Sequence, residues 1–223
     1  MHLNLLVTDC LIYYEESTGQ HIPGLAESWK VSADGKTTTF NIRKGVQWHD
    51  GWGEVTAADV KFTFERAASP ASTGNKAAPA RQIAGMDMPD PYTLVVTLKT
   101  PDPVWWQQWS FGGAGAMNQG IACKKYVEKV GDDVAGQIPV GSGPYKVLEH
   151  KVGSYTKFEA HDDNWRLVPE FKYITLRLIP EQSTQVAMLK TGEIDLASVS
   201  AETLPELKAA GLATEVSPYG GSS

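Results

Sequence analysis

Between Gly24 and Arg66 the apolar positions change period, and each change marks an element. Trp29 and Val31 alternate with polar neighbours, Asp34-Gly35 interrupts, and Phe40 and Ile42 resume the alternation. Period-two alternation on both sides of Asp-Gly predicts a β-hairpin. After Trp48-His49-Asp50-Gly51, a second turn, the apolar positions shift to helical spacing at Val60 and Phe64. Thr56 and Asp59 have the spacing of a capping box, and Val55 and Val60 that of a hydrophobic staple.

The same reading extends along the chain. Leu3 to Tyr13 is apolar except for Asp9 and predicts a helix passing into a short strand. Residues 69–80 are rich in Pro, Gly, Ser and Ala, without period, and predict an exposed loop. Gln82–Met88 and Tyr92–Thr100 predict a second hairpin about Asp90-Pro91. Ala122–Val130 predicts a helix ended by Gly131, and 132–138 a linker. Beyond Pro139 the pattern predicts a hairpin over Gly153-Ser154, a strand at 171–179 and a helix at 181–190 closed by Gly192. A strand at 194–199 and a helix at 201–210 closed by Gly211 complete it. Strand, helix, strand at this spacing is a βαβ signature, so the expected fold class is α+β with some parallel sheet. The boundary falls at 137–141, giving expected domains 1–138 and 139–223.

Composition narrows the functions. The 223 residues are 42% hydrophobic, enough for a core, with net charge −6 and no basic run, which argues against nucleic-acid binding. No apolar run approaches a membrane span, and no secretory h-region follows Met1. Cys10 and Cys123 lack metal-ligand spacing and read as two semi-buried free thiols, which could pair only if the fold brought them together. His49-Asp50 and His161-Asp162-Asp163 read as polar turns, since neither offers the three or four convergent ligands of a zinc site. No nucleophile motif of the G-x-S-x-G kind occurs, and the two glycines Gly141 and Gly143 precede a strand-like run, so no dinucleotide loop is present. Gly141 and Gly143 are expected to supply positive φ, with Pro144 setting the entry to the next strand. No enzyme, cofactor or metal is expected; a carboxylate glycoside hydrolase is the disfavoured rival, and a scaffold module without a small ligand a second.

Several stretches together resemble one family. Leu25-Ala26-Glu27-Ser28-Trp29, the run from Val31 to Gly51 (V-S-x-D-G-K-T-x-T-F-x-I-R-K-G-V-x-W-H-D-G) and Thr56 to Arg66 (T-A-x-D-V-x-F-x-x-E-R) resemble the extracellular solute-binding proteins of family 5. These are the oligopeptide, dipeptide and nickel receptors of ABC importers. Asn4–Gly24, Pro139-Val140-Gly141-Ser142-Gly143-Pro144-Tyr145, Ile179–Thr184 and Gly192–Ala197 match further family motifs in the same order. The resemblance implies a two-lobed receptor of the type II periplasmic-binding-protein kind, periplasmic or extracellular, delivering solute to a membrane permease. Peptide is the default solute, with oligosaccharide and nickel chelate as alternatives. It also implies that the chain is a fragment lacking the family's first strand, export signal and other lobe. Such a fragment is expected to fold, to bind solute only weakly, and to dimerise through the bared edge of the 171–199 sheet.

Candidate ligand residues follow from the resemblance and from aromatic density. Trp105, Trp106 and Trp109 fall within five residues, ahead of the flexible Gly112–Gly115 stretch. They read either as aromatic core or as a stacking floor, and the resemblance places them near the cleft. It also places Ser142 and Tyr145 beside the hinge and cleft. Trp48 is expected in the core and Trp52 at the surface.

Overall fold

The computed structural model describes residues 4–111 and 120–215; the Gly112–Gly115 stretch lies outside the described residues. Helices and sheets mix as expected. Two compact units are present, one formed by residues 1–150 and 156–175, the other by 151–155 and 176–223.

The larger unit is built on the predicted hairpins. A short helix α1 (Asn4–Val7) leads into β1 (Ile12–Glu15), which pairs antiparallel with β2 (Gln20–Pro23). β3 (Ala26–Val31) and β4 (Thr37–Ile42) form the Asp-Gly hairpin, with Trp29 opposite Phe40. The next helix, α2 (Ala57–Ala68), carries the capping box: Thr56 N donates to Asp59 Oδ2 at 2.9 Å. Val55 and Val60 are both fully buried, as a staple requires. A five-residue helix α3 (Ala77–Arg81) precedes the second hairpin, β5 (Ile83–Asp90) and β6 (Thr93–Leu98). The four strands run β3-β4-β6-β5. Residues 69–80 are therefore not loop throughout: Lys76 and Ala77 are buried beneath this segment.

The core lies between this sheet and α2. Phe40, Ile42, Leu94 and Val96 come from the strands and Val60 and Phe64 from the helix, all at most 1% exposed. Buried apolar side chains of this size contribute roughly 1.5–3 kcal/mol each. Trp105–Trp109 form a 3₁₀ helix followed by β7 (Ser110–Phe111), which lies parallel to β1 and makes the sheet β2-β1-β7. The helices α4 (Lys124–Val130) and α5 (Asp132–Gln137) meet at Gly131, whose φ is 83°. The expected linker at 132–138 is thus mostly helix. Asp132 and Asp133 in its first turn are the reason, since carboxylates favour the N-terminal end of the helix dipole. The chain then enters β8 (Tyr145–Lys151), β9 (Tyr155–Ala160) and β10 (Tyr173–Arg177), a sheet ordered β10-β9-β8.

The smaller unit is organised by α6 (Gln182–Thr191) and α7 (Leu204–Ala209). Gly192 closes α6 in the left-handed conformation (φ 73°) and Gly211 follows α7 at φ 79°, as the pattern predicted. Gln182 ties α6 to the segment leading into α7, donating to Ser200 Oγ at 3.0 Å and Thr203 Oγ1 at 3.3 Å and accepting from Ser200 N at 3.1 Å. Val186 and Leu207 are the unit's buried apolar side chains among the described residues. The run 194–199 is not a strand, contrary to expectation, and Leu196 is 84% exposed. A strand needs a neighbour to take its N–H and C=O groups, and none of the described segments pairs with this run.

Candidate functional site

The turn at 139–145 is the point where distant segments of the larger unit converge. A Cβ on Gly141 would stand 1.7 Å from the Val7 carbonyl oxygen, and one on Gly143 would stand 2.7 Å from it. Neither residue has positive φ. The expected reason for these glycines is therefore corrected: they are required by the close approach of another backbone, not by a left-handed conformation. Gly143 N donates to Val7 O at 2.8 Å, Asn164 Nδ2 to Ser142 O at 2.8 Å, and His161 N to Pro144 O at 2.8 Å.

Asp9 anchors the arrangement. Its carboxylate is fully buried and accepts on both oxygens. Oδ1 takes Tyr13 Oη at 2.7 Å and Arg166 Nε and Nη2 at 3.2 and 3.0 Å. Oδ2 takes Ser142 Oγ at 3.0 Å and Trp165 Nε1 at 2.9 Å. Arg166 also lies 4.8 Å over the Tyr13 ring, a cation–π contact. Burial and the adjacent Asp9 charge push the Tyr13 phenol well above its ordinary range, so Tyr13 is a fixed donor. A buried carboxylate met by one guanidinium and three neutral donors is a satisfied structural charge, with no acceptor left facing outward.

The five candidate residues divide accordingly. Ser142 is buried on Asp9, and Tyr145 is buried with its hydroxyl donating to Phe171 O at 2.9 Å. Trp105 and Trp109 are 1% and 4% exposed, so the exposed ring face expected of a stacking floor is not found on either. Phe64 occupies the space against them, at ring-centroid distances of 5.8 and 3.9 Å, and Trp105 Nε1 donates to Pro79 O at 2.9 Å. Trp106 points elsewhere. It is half-buried and continues a row of rings: Tyr14 to His21 at 5.1 Å, His21 to Trp106 at 4.8 Å, Trp106 to Trp29 at 5.0 Å. Desolvation holds His21 below its ordinary value. Trp48 is core, as expected; Trp52 is half-buried against Tyr126 rather than free at the surface.

A groove of about 390 Å³ lies elsewhere on the unit, lined by Lys61, Phe64, Glu65, Arg81, Met86 and Lys99. Its cations are already engaged: Arg81 Nη2 binds the carbonyls of Ser69 and Ser72, and Lys99 Nζ that of Arg81. Among the described residues no group of three or more His, Cys, Asp or Glu side chains converges as a metal site, and no helix is long and apolar enough to cross a membrane. Pattern reading passed over Asp9, Trp165, Arg166, Tyr14 and His21. A lone carboxylate inside an apolar run was the available signal for Asp9, because a buried charge demands a partner. Nothing local marked the others.

Residues 20–223 match the model of the bacterial extracellular solute-binding proteins, family 5 middle, and the chain belongs to that family. It is 29% identical to the dipeptide-binding protein of Escherichia coli (strain K12), over 82% of this chain and 37% of that one. It is 33% identical to the glutathione-binding protein GsiB of the same strain, over 78% and 33%. Among solved structures, NikZ from Campylobacter jejuni in complex with Ni(L-His) superposes with a TM-score of 0.80 at 28% identity, covering 92% of this chain and 40% of that one. The chain spans roughly two-fifths or less of the length of each. The first two of these are binding proteins by name.

Proposed function

We propose that the chain is part of the substrate-binding component of an ABC importer, capturing peptides or a similar small solute in the periplasm and passing it to a membrane permease. The match to the family 5 model over residues 20–223 carries this reading. The proposed division in family terms is 1–138 for the second domain and 139–223 for the central part of the first. The role is capture without chemistry: binding energy shifts the receptor toward a closed state that the permease recognises. Of the five candidate residues, Trp106 is the one proposed to touch solute, because it alone is only partly buried and its ring is supported by His21 and Trp29. Trp105, Trp109, Ser142 and Tyr145 are buried and are not proposed to touch it. Nickel chelate is the second reading, favoured by the Ni(L-His) neighbour.

The test is NMR titration of the chain with a tetrapeptide pool, with cello-oligosaccharides and with nickel–histidine. Saturable shifts confined to the peptides are expected, with the Trp106 indole N–H among those that move. Saturation by nickel–histidine alone would favour the second reading, and no saturable shift with any of the three would overturn both.

A further inference from the structure

His49 sits where water does not reach, 1% exposed, and three of its nitrogens face the glycine turn. Its backbone N donates to Gly141 O at 2.8 Å. Ring Nε2 lies 2.8 Å from Gly143 O, and because a carbonyl only accepts, Nε2 carries the proton. Gly141 N donates to ring Nδ1 at 3.4 Å, so Nδ1 is the lone-pair nitrogen. One side chain therefore fastens both glycines of the turn, and its bonding pattern requires a neutral ring. A second imidazole, His161, stands edge-on with its centroid 5.2 Å away.

We propose that His49 is a pH-sensitive latch: neutral, it holds residues 141–143 against residues 7–9, and protonated, it releases them. An added proton on Nδ1 would face the Gly141 N–H, so an acceptor becomes a donor pointed at a donor. The new charge would also lie out of water. The surrounding groups do not rescue it. Asp50 lies on the same turn, but Lys146 draws on its carboxylate at 3.7 Å and on that of Glu159 at 3.2 Å. Asp9 already holds Arg166 at 3.0 Å. His161, edge-on to the ring, supplies no counter-charge. Burial is the largest influence and keeps His49 below its ordinary 6.5, with the Gly143 bond and the Asp50 and Asp9 charges pulling the other way. The folded value lies below the unfolded one, so the latch's stabilisation is complete above pH 6.5 and is lost as pH falls from 6.5 through the folded value.

Release would travel along bonds already named. Ser142 connects the turn to Asp9 and Asn164, and Gly143 N connects it to Val7. If the turn borders the solute, acidification weakens capture; that consequence rests on the receptor reading, whereas the latch itself does not.

Amide hydrogen exchange on the 223-residue chain, without solute and corrected for intrinsic chemistry, reads the latch directly. Between about pH 7.5 and 5, segments covering 139–145 should lose roughly tenfold in protection while β4 and β6 keep theirs. His49→Gln, whose amide can still donate to Gly143 O but does not titrate, should keep protection at both pH values. Long-range ¹H–¹⁵N spectra should show the Nε2–H tautomer at the higher pH. Equal protection at both pH values, the same loss in H49Q, a loss shared equally by β4 and β6, or an Nδ1–H tautomer would each overturn the proposal. Should H49Q fail to fold, the tautomer and the exchange of the unmodified chain decide. Solute affinity that ignores pH while the 139–145 segment opens would count against the receptor connection and leave the latch standing.

Discussion

Replacing Asp9 with alanine removes one carboxylate and strands four donor groups at once. Tyr13, Ser142 and Trp165 lose their acceptor, and Arg166, with its side chain 33% exposed, keeps a charge with only partial access to water. Breaking a buried pair by deleting one partner costs about 3–5 kcal/mol. The opposite deletion, Arg166→Ala, leaves Asp9 with three neutral donors still in place and should cost about half as much, roughly 2 kcal/mol. The assay has a convenient selectivity, because all seven tryptophans lie in the larger unit, so indole fluorescence follows that unit alone. With a urea m-value near 2 kcal/mol/M, a loss of about 4 kcal/mol moves the midpoint by about 2 M. A double-mutant cycle should show coupling of about 1–3 kcal/mol between the two positions. A D9A midpoint within about 0.5 M of the parent, or an R166A loss as large as that of D9A, would refute the idea that the carboxylate is the hub.

Further predictions follow from the same geometry. Gly141→Ala places a methyl 1.7 Å from a backbone oxygen and should prevent the larger unit from folding cooperatively, whereas Gly85→Ala meets nothing within 4 Å; soluble yield and thermal melts compare them. Thr56→Ala should cost about 1 kcal/mol as a lost cap, and Asp59→Ala about 1 kcal/mol more, because Asp59 Oδ1 also accepts from Lys124 N at 2.9 Å; urea midpoints check the order. Burial raises the Cys10 and Cys123 thiols to about 12 and about 11, so both should resist iodoacetamide at pH 8 and react only on unfolding, which intact mass reads directly. Trp106→Ala should reduce any peptide-induced shift while costing less stability than Trp105→Ala, since Trp106 is only partly buried at the edge of the core whereas Trp105 is inside it; urea midpoints compare them.

Much of the fold was legible because its signals are local. The Asp34-Gly35 hairpin and the Thr56–Asp59 box of the larger unit, and the Gly192 and Gly211 stops of the smaller one, each depend on neighbours within a few residues. The failures are of another kind. Trp105 and Trp109 look alike in sequence whether they face Phe64 or a solute, and only the third dimension assigns the space. Ile194, Leu196 and their neighbours have a strand's composition, yet strand formation depends on a partner that pattern cannot supply. The Asp9 hub joins residues 133 and 157 positions apart, beyond the reach of any period.

That separation bears on the order of folding. Val7 and Thr8 rest against Gly120, Gly141 and Gly143, so the first segment of the larger unit finds its seat only after a turn far along the chain exists. Long-range contacts of this sort slow folding, because loop-closure entropy is spent before the contact forms. On a ribosome adding roughly 5–20 residues per second, the first ten residues wait on the order of ten seconds for their seat to be synthesised. The β3-β4 hairpin and α2 need no such wait. A nascent chain stalled before Gly141 should therefore hold the Asp-Gly hairpin while its amino-terminal segment stays open to protease.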